Sequence, residues 1–332
     1  MNGAKMVRWR VAGIALLGIS IVVAVNDWRQ PMTQDEREII RELKKTSGNS
    51  FEYDSHGGVE FGGPATTLPR LGPIKSLVRI DVPWNTLCTE FDEKHLECLR
   101  GMPNLRRLNF YRHPVSGPAL KVLTTLPALE ELHCTPTEKV VEALRYIGQC
   151  HKLRSLGIGN SNVTDESLVG LAGLANLEVL DLSGSLVCND LAPLTKLKKL
   201  RQLSLERTNL TVNSVKQIGT VRSLEELVLN AITDRGLYYV SFLDRLIFLS
   251  FGSSPELSHL GFTHLQRNHQ LRELYLSHFG PFTHSQLRGL GALKQVSKMM
   301  LDGANVSLSK RRKLEAELPD CEIRWLGLHD RE

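Results

Sequence analysis

The sequence has few of the residue patterns that mark a catalytic or metal site. Its 332 residues include six cysteines, yet no two of them form a Cys-x-x-Cys pair or show zinc-ligand spacing. It also lacks a phosphate-binding loop ending in Lys-Ser or Lys-Thr, a Gly-x-Ser-x-Gly elbow and a His-Glu-x-x-His motif. Catalysis is therefore unsupported, and we interpret the cysteines as small buried apolar residues. They are Cys88, Cys98, Cys134, Cys150, Cys188 and Cys321.

Histidines are clustered late in the chain, but their spacing does not suit a metal. Successive members lie five, five, nine and six residues apart, whereas two ligands on one helical face need a step of three or four. A five-residue step turns by about 140 degrees around a helix, so the rings diverge. We therefore expect no metal and no cofactor. The histidines are His259, His264, His269, His278 and His284.

The charge balance argues against nucleic acid as a partner. The net charge is +5, but four cations and one anion before position 30 contribute +3 of it. The rest of the chain is close to neutral, whereas a nucleic-acid-binding protein needs a dense basic face. We interpret the two basic clusters, residues 196–201 and 310–313, as solvated helical faces.

What the sequence does contain is a repeat. The pattern LxxLxL recurs with a step of about 24 residues, eight times closely and twice more loosely. Random clustering of leucines would not produce this regularity, and a fixed period of this length marks a repeat array. The close copies begin at Leu105, Leu129, Leu153, Leu177, Leu200, Leu224, Leu246 and Leu271, and the looser copies begin at Leu77 and Val296.

Each period has two halves with different rhythms. Leu180 and Leu182 are two residues apart, which predicts a short strand, whereas Leu168 and Leu171 are three apart, which predicts a helix. A strand and a helix that bury their leucines against each other form one coil of a solenoid, and such a coil needs stacked neighbours to be stable. The sequence therefore predicts an α/β solenoid of about ten strand-plus-helix coils over residues 73–326, with a curved parallel sheet on its concave face.

One copy carries a family resemblance. From Leu153 the chain reads LRSLGIGNSNVTDESLVGLAGLAN. This segment resembles the LxxLxLxxTxVTDxGL form of leucine-rich repeats, of the ribonuclease-inhibitor-like kind that is common in bacterial proteins. The resemblance implies a recognition scaffold, a class that serves many partners. The segment Cys134–Lys139 departs from the pattern because it lacks the apolar residue that usually follows the turn.

Residues 31–72 differ in composition and predict an N-terminal cap. Thr33 and Glu36 have the spacing of a capping box, which predicts a helix from Asp35 to about Lys45. A short strand at Phe51–Tyr53 and a Gly/Pro-rich linker follow. Such a cap shields the strand edge of the first coil. At the other end, a helix and strand close the array, and residues 327–332 form a tail.

The first thirty residues predict a targeting element. A basic flank precedes the uncharged run from Val11 to Val25, and counting from Trp9 to Trp28 gives twenty residues, enough to span a bilayer as a helix. We therefore expect a single-pass signal-anchor over residues 9–28, with the repeat domain outside the cytoplasm. The alternative is secretion after signal cleavage near Ala24.

The register of the repeat identifies side chains on the concave face. These are the third and fifth residues of each LxxLxL copy, because strand side chains alternate between the two faces. A cluster of large apolar side chains in the C-terminal half is our principal prediction for a partner-binding surface, and its alternative is a cross-strand contact that stabilises the sheet. Those residues are Val228, Phe248, Tyr275 and Met300, and the polar candidates in the N-terminal half are Arg107, Asn109 and His133.

Two function classes follow from the sequence. The first is a non-catalytic recognition scaffold, bacterial and extracytoplasmic, that binds a protein or a surface polymer. The second is a structural or assembly role in the cell envelope without a discrete ligand. A cytoplasmic ubiquitin-ligase adaptor, another use of similar repeats, conflicts with the targeting segment.

Overall fold

The computed structural model describes residues 32–45, 49–54, 59–82, 91–252, 254–277, 282–302 and 306–326. The predicted signal-anchor at residues 9–28, Cys88, His278 and the tail at 327–332 lie outside these ranges. Within the described ranges, every helix is too short or too polar to cross a membrane.

The described chain forms one sheet of thirteen strands whose spatial order follows the sequence. The first two strands pair antiparallel, and every later neighbour pairs parallel. The strands are β1 Ser50–Tyr53, β2 Val59–Gly62, β3 Leu77–Asp81, β4 Arg107–Ser116, β5 Glu131–Glu138, β6 Ser155–Gly157, β7 Val179–Asp181, β8 Gln202–Leu205, β9 Glu226–Leu229, β10 Phe248–Phe251, β11 Glu273–Leu276, β12 Lys298–Asp302 and β13 Glu322–Leu326.

Helical segments alternate with the strands. The α-helices of the described chain are α1 Gln34–Leu43, α2 Glu93–Leu96, α3 Val140–Ile147, α4 Val212–Ile218, α5 Asp234–Val240, α6 His259–His264, α7 His284–Gly291 and α8 Leu308–Glu317. Its 3-10 helices are Ala65–Arg70, Glu97–Leu99, Pro118–Thr125, Glu166–Leu171, Ala192–Lys196 and Leu265–Arg267. The strand-plus-helix repeat predicted from the sequence is confirmed, with β3 to β12 as the ten predicted strands.

The core is a column of leucines that runs the length of the sheet. The fourth residue of each LxxLxL copy, such as Leu132, Leu156 or Leu180, is in register with its counterpart on the next strand, and these three side chains are at most 1% exposed. The helical half supplies the opposing layer, for example Leu168 and Leu171. Each leucine therefore packs against its own coil and both neighbouring coils.

The N-terminal cap is attached by specific contacts. Thr33 and Glu36 form the predicted capping box at the start of α1, and Ile40 and Leu43 are buried against the first coil. The second carboxylate oxygen of Glu36 accepts a hydrogen bond of 2.9 Å from the backbone N–H of Ser76. Glu36 therefore closes its own helix and also ties α1 to the strand that opens the repeat.

The stretch predicted as a Gly/Pro-rich linker contains a strand. Val59 and Phe61 point into the core on either side of Glu60, and β2 pairs antiparallel with β1 and parallel with β3. The rings of Phe51 and Phe61 lie 5.1 Å apart across this hairpin. The glycines and prolines around β2 hide the alternation of buried and exposed residues that would predict a strand. The β1–β2 hairpin covers the strand edge that the first coil would otherwise expose.

Several coils contain 3-10 helices where the sequence predicted ordinary helical turns. In Glu166–Leu171 the leucines recur every three residues, which is the period of a 3-10 helix, and the segment turns accordingly. Adjacent coils also approach closely here, since a Cβ on Gly148 would collide with the carbonyl oxygen of Gly170. The tighter helix suits a coil with little depth between its strand and its outer surface.

The coil that departs from the repeat pattern is also irregular in structure. After the usual pairing of Arg107 to Asn109 with β5, a register shift lets Pro114 to Ser116 pair again with the extended end of β5. Lys139 then adopts a left-handed conformation, with φ of 46°, at the N-cap position of α3. The extra extended stretch replaces the missing apolar turn residue with additional sheet pairing.

Truncating a column leucine should destabilise the whole array. Leu156→Ala removes a fully buried side chain from the middle of the column, and we expect it to lower the free energy of unfolding by about 3 kcal/mol through lost burial and a residual cavity. Chemical denaturation measures this. Leu186→Ala is the matched control, because Leu186 is 61% exposed. Equal effects of the two substitutions would contradict the column packing.

Candidate functional site

The sheet face opposite the helices carries two continuous rows of side chains, and we call it the open face. Strand pairing aligns each row across β2 to β13. The first row is Glu60, Arg79, Arg107, Glu131, Ser155, Val179, Gln202, Glu226, Phe248, Glu273, Lys298 and Glu322. The second row is Gly62, Asp81, Asn109, His133, Gly157, Asp181, Ser204, Val228, Ser250, Tyr275, Met300 and Arg324.

A ladder of alternating charge borders these rows. The residue preceding the first row alternates between arginine and glutamate across six successive coils, and we call this set the charge ladder. Within each ion pair of the ladder, the nitrogen and oxygen atoms lie 3.0, 2.9 and 2.6 Å apart, in chain order. Each pair alone contributes little stability because it is partly exposed. The pairs are Arg106–Glu130, Arg154–Glu178 and Arg201–Glu225.

Two of the predicted polar candidates have partners within the protein. Arg107 pairs with Glu131 on the next strand at 3.1 Å. Asn109 accepts a 2.9 Å hydrogen bond at its side-chain oxygen from the backbone N–H of Tyr111. Both side chains are half-buried. Arg107 ties two neighbouring strands and Asn109 bonds to the backbone within β4, and both residues lie on the open face.

His133 lies over a gap left by a glycine. A Cβ on Gly157 would overlap the His133 ring, so the glycine makes room for the imidazole. Burial lowers the pKa of His133, although Asp181 and Asp81 oppose this effect, so burial favours the neutral ring. The Asp181 carboxylate accepts from the backbone N–H of Ser183 at 2.9 Å. His133 and Asp181 share a row, as the register predicted, with the Gly157 strand between them.

The aromatic candidates pack on each other. The rings of Phe248 and Tyr275 meet edge to face with centroids 4.8 Å apart, and the two residues are only 7% and 4% exposed. The Tyr275 hydroxyl donates to Glu273 at 3.1 Å. The cross-strand contact considered as the alternative is therefore present, and it contributes to the stability of the sheet.

The apolar candidates on either side remain more accessible. Val228 and Met300 are half-buried and flank the aromatic pair in the second row. Met300 is in direct register with Tyr275, whereas Ser250 separates Val228 from it. The structure therefore brings Phe248, Tyr275 and Met300 together and sets Val228 apart across a small residue.

Glu226 is a feature that our sequence reasoning missed. It occupies the first row between Gln202 and Phe248, at the third position of its repeat, but we selected only apolar side chains in this half. Burial raises the pKa of Glu226 to about 7, and the nearby carboxylates of Glu225 and Glu273 act in the same direction. A hydrogen bond from the Gln202 side chain and the charge of Arg201 only partly oppose this rise.

Burial disfavours the thiolate form of three described cysteines. The five described cysteines are free; Cys134 and Cys150 are buried and the rest are half-buried. Burial raises the pKa of Cys98 and Cys321 to about 11 and that of Cys150 to about 12. A nucleophilic cysteine needs a lowered pKa, so none of these three thiols is activated.

Three of the late histidines lie on helices of the solenoid. His259 lies 3.4 Å from the hydroxyl of Ser285, and His264 packs against the ring of Tyr238. His284 lines a cleft of about 330 Å³ between α7 and α8, together with Arg288. Lys310 and Lys313, from the predicted basic cluster, line the same cleft on the side away from the open face.

Comparison with solved structures gives leucine-rich repeat proteins. An internalin (inlF) from Listeria monocytogenes aligns over 79% of this chain and 77% of its own, with 17% identity and a TM-score of 0.52. The Leptospira interrogans protein LIC12759 aligns over 77% of this chain and 80% of its own, with 16% identity and a TM-score of 0.45. No protein-family model and no curated protein matches the sequence. With its parallel strands and its internalin neighbour, the protein has a leucine-rich repeat solenoid fold.

The raised pKa of Glu226 predicts a pH-dependent effect on stability. The carboxyl group of Glu226 binds its proton more tightly in the folded than in the unfolded protein. The stability that this proton contributes to the folded state is therefore fully present below about pH 4.5 and is lost as the pH rises through about 7. Glu226→Gln, which stays neutral, should therefore raise the free energy of unfolding by roughly 1 to 2 kcal/mol at pH 8 and by much less at pH 5.

Urea unfolding at the two pH values measures this difference. Glu166→Gln removes the same charge at an exposed position on the helical side and should show no gain at pH 8. Other titrating groups such as His133 cancel, because each variant is compared with the wild type at the same pH. A Glu226→Gln protein no more stable than wild type at pH 8 would refute the assignment.

Proposed function

We propose that the protein is a non-catalytic recognition scaffold that binds a protein or surface polymer through its open face. The observation that carries the proposal is the continuity of that face. Twelve parallel strands at about 4.8 Å spacing extend roughly 50 Å, and both rows run along this length. A surface of this length suits a macromolecule better than a metabolite, because a standard protein interface covers about 800 Å² on each partner.

The accessible apolar side chains support a contact surface in the C-terminal section of the open face. Val228 and Met300 are half-exposed beside a rigid aromatic pair, and apolar side chains on a preorganised support are typical of the centre of protein interfaces. Phe248 and Tyr275 act mainly as that support. We propose that this C-terminal section of the open face provides most of the binding energy, and that Arg107, Asn109 and His133 contribute polar contacts.

The two ends of the sheet favour a binding scaffold over a stacking unit. The antiparallel β1–β2 hairpin covers one edge. At the other end, β13 carries Glu322 and Arg324, which pair with each other at 2.6 Å. Charged side chains on an edge strand oppose strand-to-strand association between copies.

Location and subtype complete the proposal. The apolar run with its basic flank supports a signal-anchor at residues 9–28, which would place the open face outside the cytoplasm. The repeat form LxxLxLxxTxVTDxGL supports a bacterial, ribonuclease-inhibitor-like subtype. Secretion after cleavage near Ala24 is the alternative, and it would expose the same face to the same compartment.

Blocking the accessible apolar pair should abolish binding without unfolding the protein. We expect Val228→Arg with Met300→Glu to reduce capture of the partner from native envelopes by at least tenfold, because charged side chains would cover the contact surface. Quantitative pull-down with the full chain measures this. Thermal unfolding should stay cooperative, since both positions are half-exposed.

The matched control places similar changes on the helical side. Val169→Arg with Leu260→Glu alters side chains that are 65% and 56% exposed, and it should leave capture unchanged. Equal loss in both double variants would point to a general charge effect. Full retention in the Val228→Arg, Met300→Glu protein would overturn the proposed face.

A reporter fusion tests the location. Alkaline phosphatase, which is active only after export, should be active when fused after Trp325, because the anchor leaves the C-terminal side outside the cytoplasm. A fusion that lacks residues 1–30 is the control and should be inactive. Activity of a cytoplasmic reporter alone at the same junction would contradict the proposed orientation.

A further inference from the structure

The N-terminal cap carries three exposed cations on one side of α1, and we call them the basic stripe. Arg37, Arg41 and Lys44 are four and three residues apart, so they share one face of the helix. Within the described residues, none of the three forms an ion pair with a carboxylate. The exposed carboxylates of α1 lie about 100 to 160 degrees further round the helix. They are Asp35, Glu38 and Glu42.

The basic stripe lines a cavity beside an exposed tyrosine. The cavity has a volume of about 430 Å³, and Tyr53 from β1 forms part of its wall. The Lys44 ammonium lies 5.6 Å from the centre of the Tyr53 ring, and Tyr53 is 54% exposed. Tyrosine rings are enriched at the headgroup level of membranes, and clustered cations are attracted to anionic lipids. The cavity therefore combines two features of a membrane-facing surface.

The chain enters the cap at this cavity. Met32, the first described residue, lines it together with the basic stripe. The proposed anchor ends at Trp28, four residues earlier. An extended chain spans at most about 3.6 Å per residue, so Met32 lies within about 14 Å of the end of the proposed membrane span. The anchor therefore holds the cavity close to the membrane.

We propose that the basic stripe and Tyr53 bind the headgroups of anionic phospholipids in the membrane that holds the anchor. Arg37 and Arg41 donate hydrogen bonds to the headgroup phosphates, and Lys44 adds a third positive charge. Charge complementarity selects an anionic lipid, because the carboxylates of α1 lie on a different part of the helix.

The inference rests on the signal-anchor in the proposed function and adds a second contact with the membrane. It fixes the N-terminal end of the sheet at the lipid surface. The C-terminal section of the open face lies at the other end of the sheet and stays free for a partner.

Lysine footprinting of the full chain in lipid nanodiscs tests the site. One set of discs contains phosphatidylcholine alone, and the other also contains the anionic lipid phosphatidylglycerol. Brief acetylation, followed by mass spectrometry, gives a rate for each lysine. The anionic lipid should slow acetylation of Lys44 about fivefold, because the bound headgroups cover its ammonium group. Lys313, exposed on α8, is the internal reference and should react equally in both. An unchanged Lys44 rate would overturn the proposal.

Replacing the two arginines tests the assigned residues. Arg37→Gln with Arg41→Gln should remove most of the protection of Lys44 by anionic lipid. The matched control, Arg235→Gln with Arg312→Gln, removes the same charge from exposed positions on α5 and α8 and should keep the protection. Thermal unfolding should stay cooperative in both proteins, since all four arginines are exposed. Equal loss of protection in the two proteins would show a net-charge effect and refute the basic stripe.

Two further conditions identify the ligand. Glycerol phosphate added to the phosphatidylcholine discs should leave Lys44 reactive, and protection by this soluble phosphate would assign the cavity to a free anion and overturn lipid binding. Salt at about 0.5 M should abolish the difference between the two kinds of disc, because it screens exposed charges. A difference that persists at high salt would contradict the proposed electrostatic contact.

The outcomes separate this inference from the proposed function. An active alkaline phosphatase fusion with an unprotected Lys44 would remove the lipid site and leave the anchor standing. An inactive fusion would remove the proposed location and the lipid site with it. Capture of the partner tests the scaffold independently, and it should be retained in the Arg37→Gln, Arg41→Gln protein because the two surfaces lie at opposite ends of the sheet.

Discussion

Every feature of this protein depends on burial that is shared between neighbouring coils. A single strand-plus-helix unit has a leucine face on each side and no means of covering either one, so each coil is stable only between two others. The column that includes Leu132, Leu156 and Leu180 provides this shared burial, because each leucine packs between its neighbours. The α1 helix and the β1–β2 hairpin follow from the same requirement, because the first coil needs a cover that is not itself a repeat.

The same constraint frees the open face for recognition. The helices and the leucine column supply most of the core, so the first- and second-row side chains lie outside it, apart from buried members such as Phe248 and Tyr275. Most of the charged side chains there are nevertheless matched, as in Arg107 with Glu131 or Lys298 with Glu273. Glu226 accepts a hydrogen bond from Gln202, and burial raises its pKa.

The sequence was sufficient for the architecture because a period of about 24 residues is a long-range signal. It located the ten central strands, the capping box of α1 and the residues that share a face. It failed where local detail overrides the pattern. Glycines and prolines concealed β2, and the three-residue leucine spacing in residues 166–171 was compatible with either kind of helix.

The candidate site was only partly predictable for a different reason. Register assigns a side chain to a face, but it does not show how far a large ring leans over its neighbour. Phe248 and Tyr275 were therefore placed correctly on the sheet, yet their diagonal contact buries most of both rings. The environment of Glu226 depends on Glu225 of its own coil, on Glu273 two strands away and on Arg201, which is already paired with Glu225. A single repeat cannot reveal that combination.

The charge ladder bears on how the chain avoids misfolding. All coils present nearly the same leucine pattern, so apolar packing alone would tolerate a structure in which one coil is looped out and its neighbours close over the gap. Such a structure would place Arg106 beside Arg154, or Glu130 beside Glu178, and like charges on adjacent strands repel. The alternating charges therefore disfavour a structure with one coil looped out, whereas the hydrophobic core hardly distinguishes it from the native array.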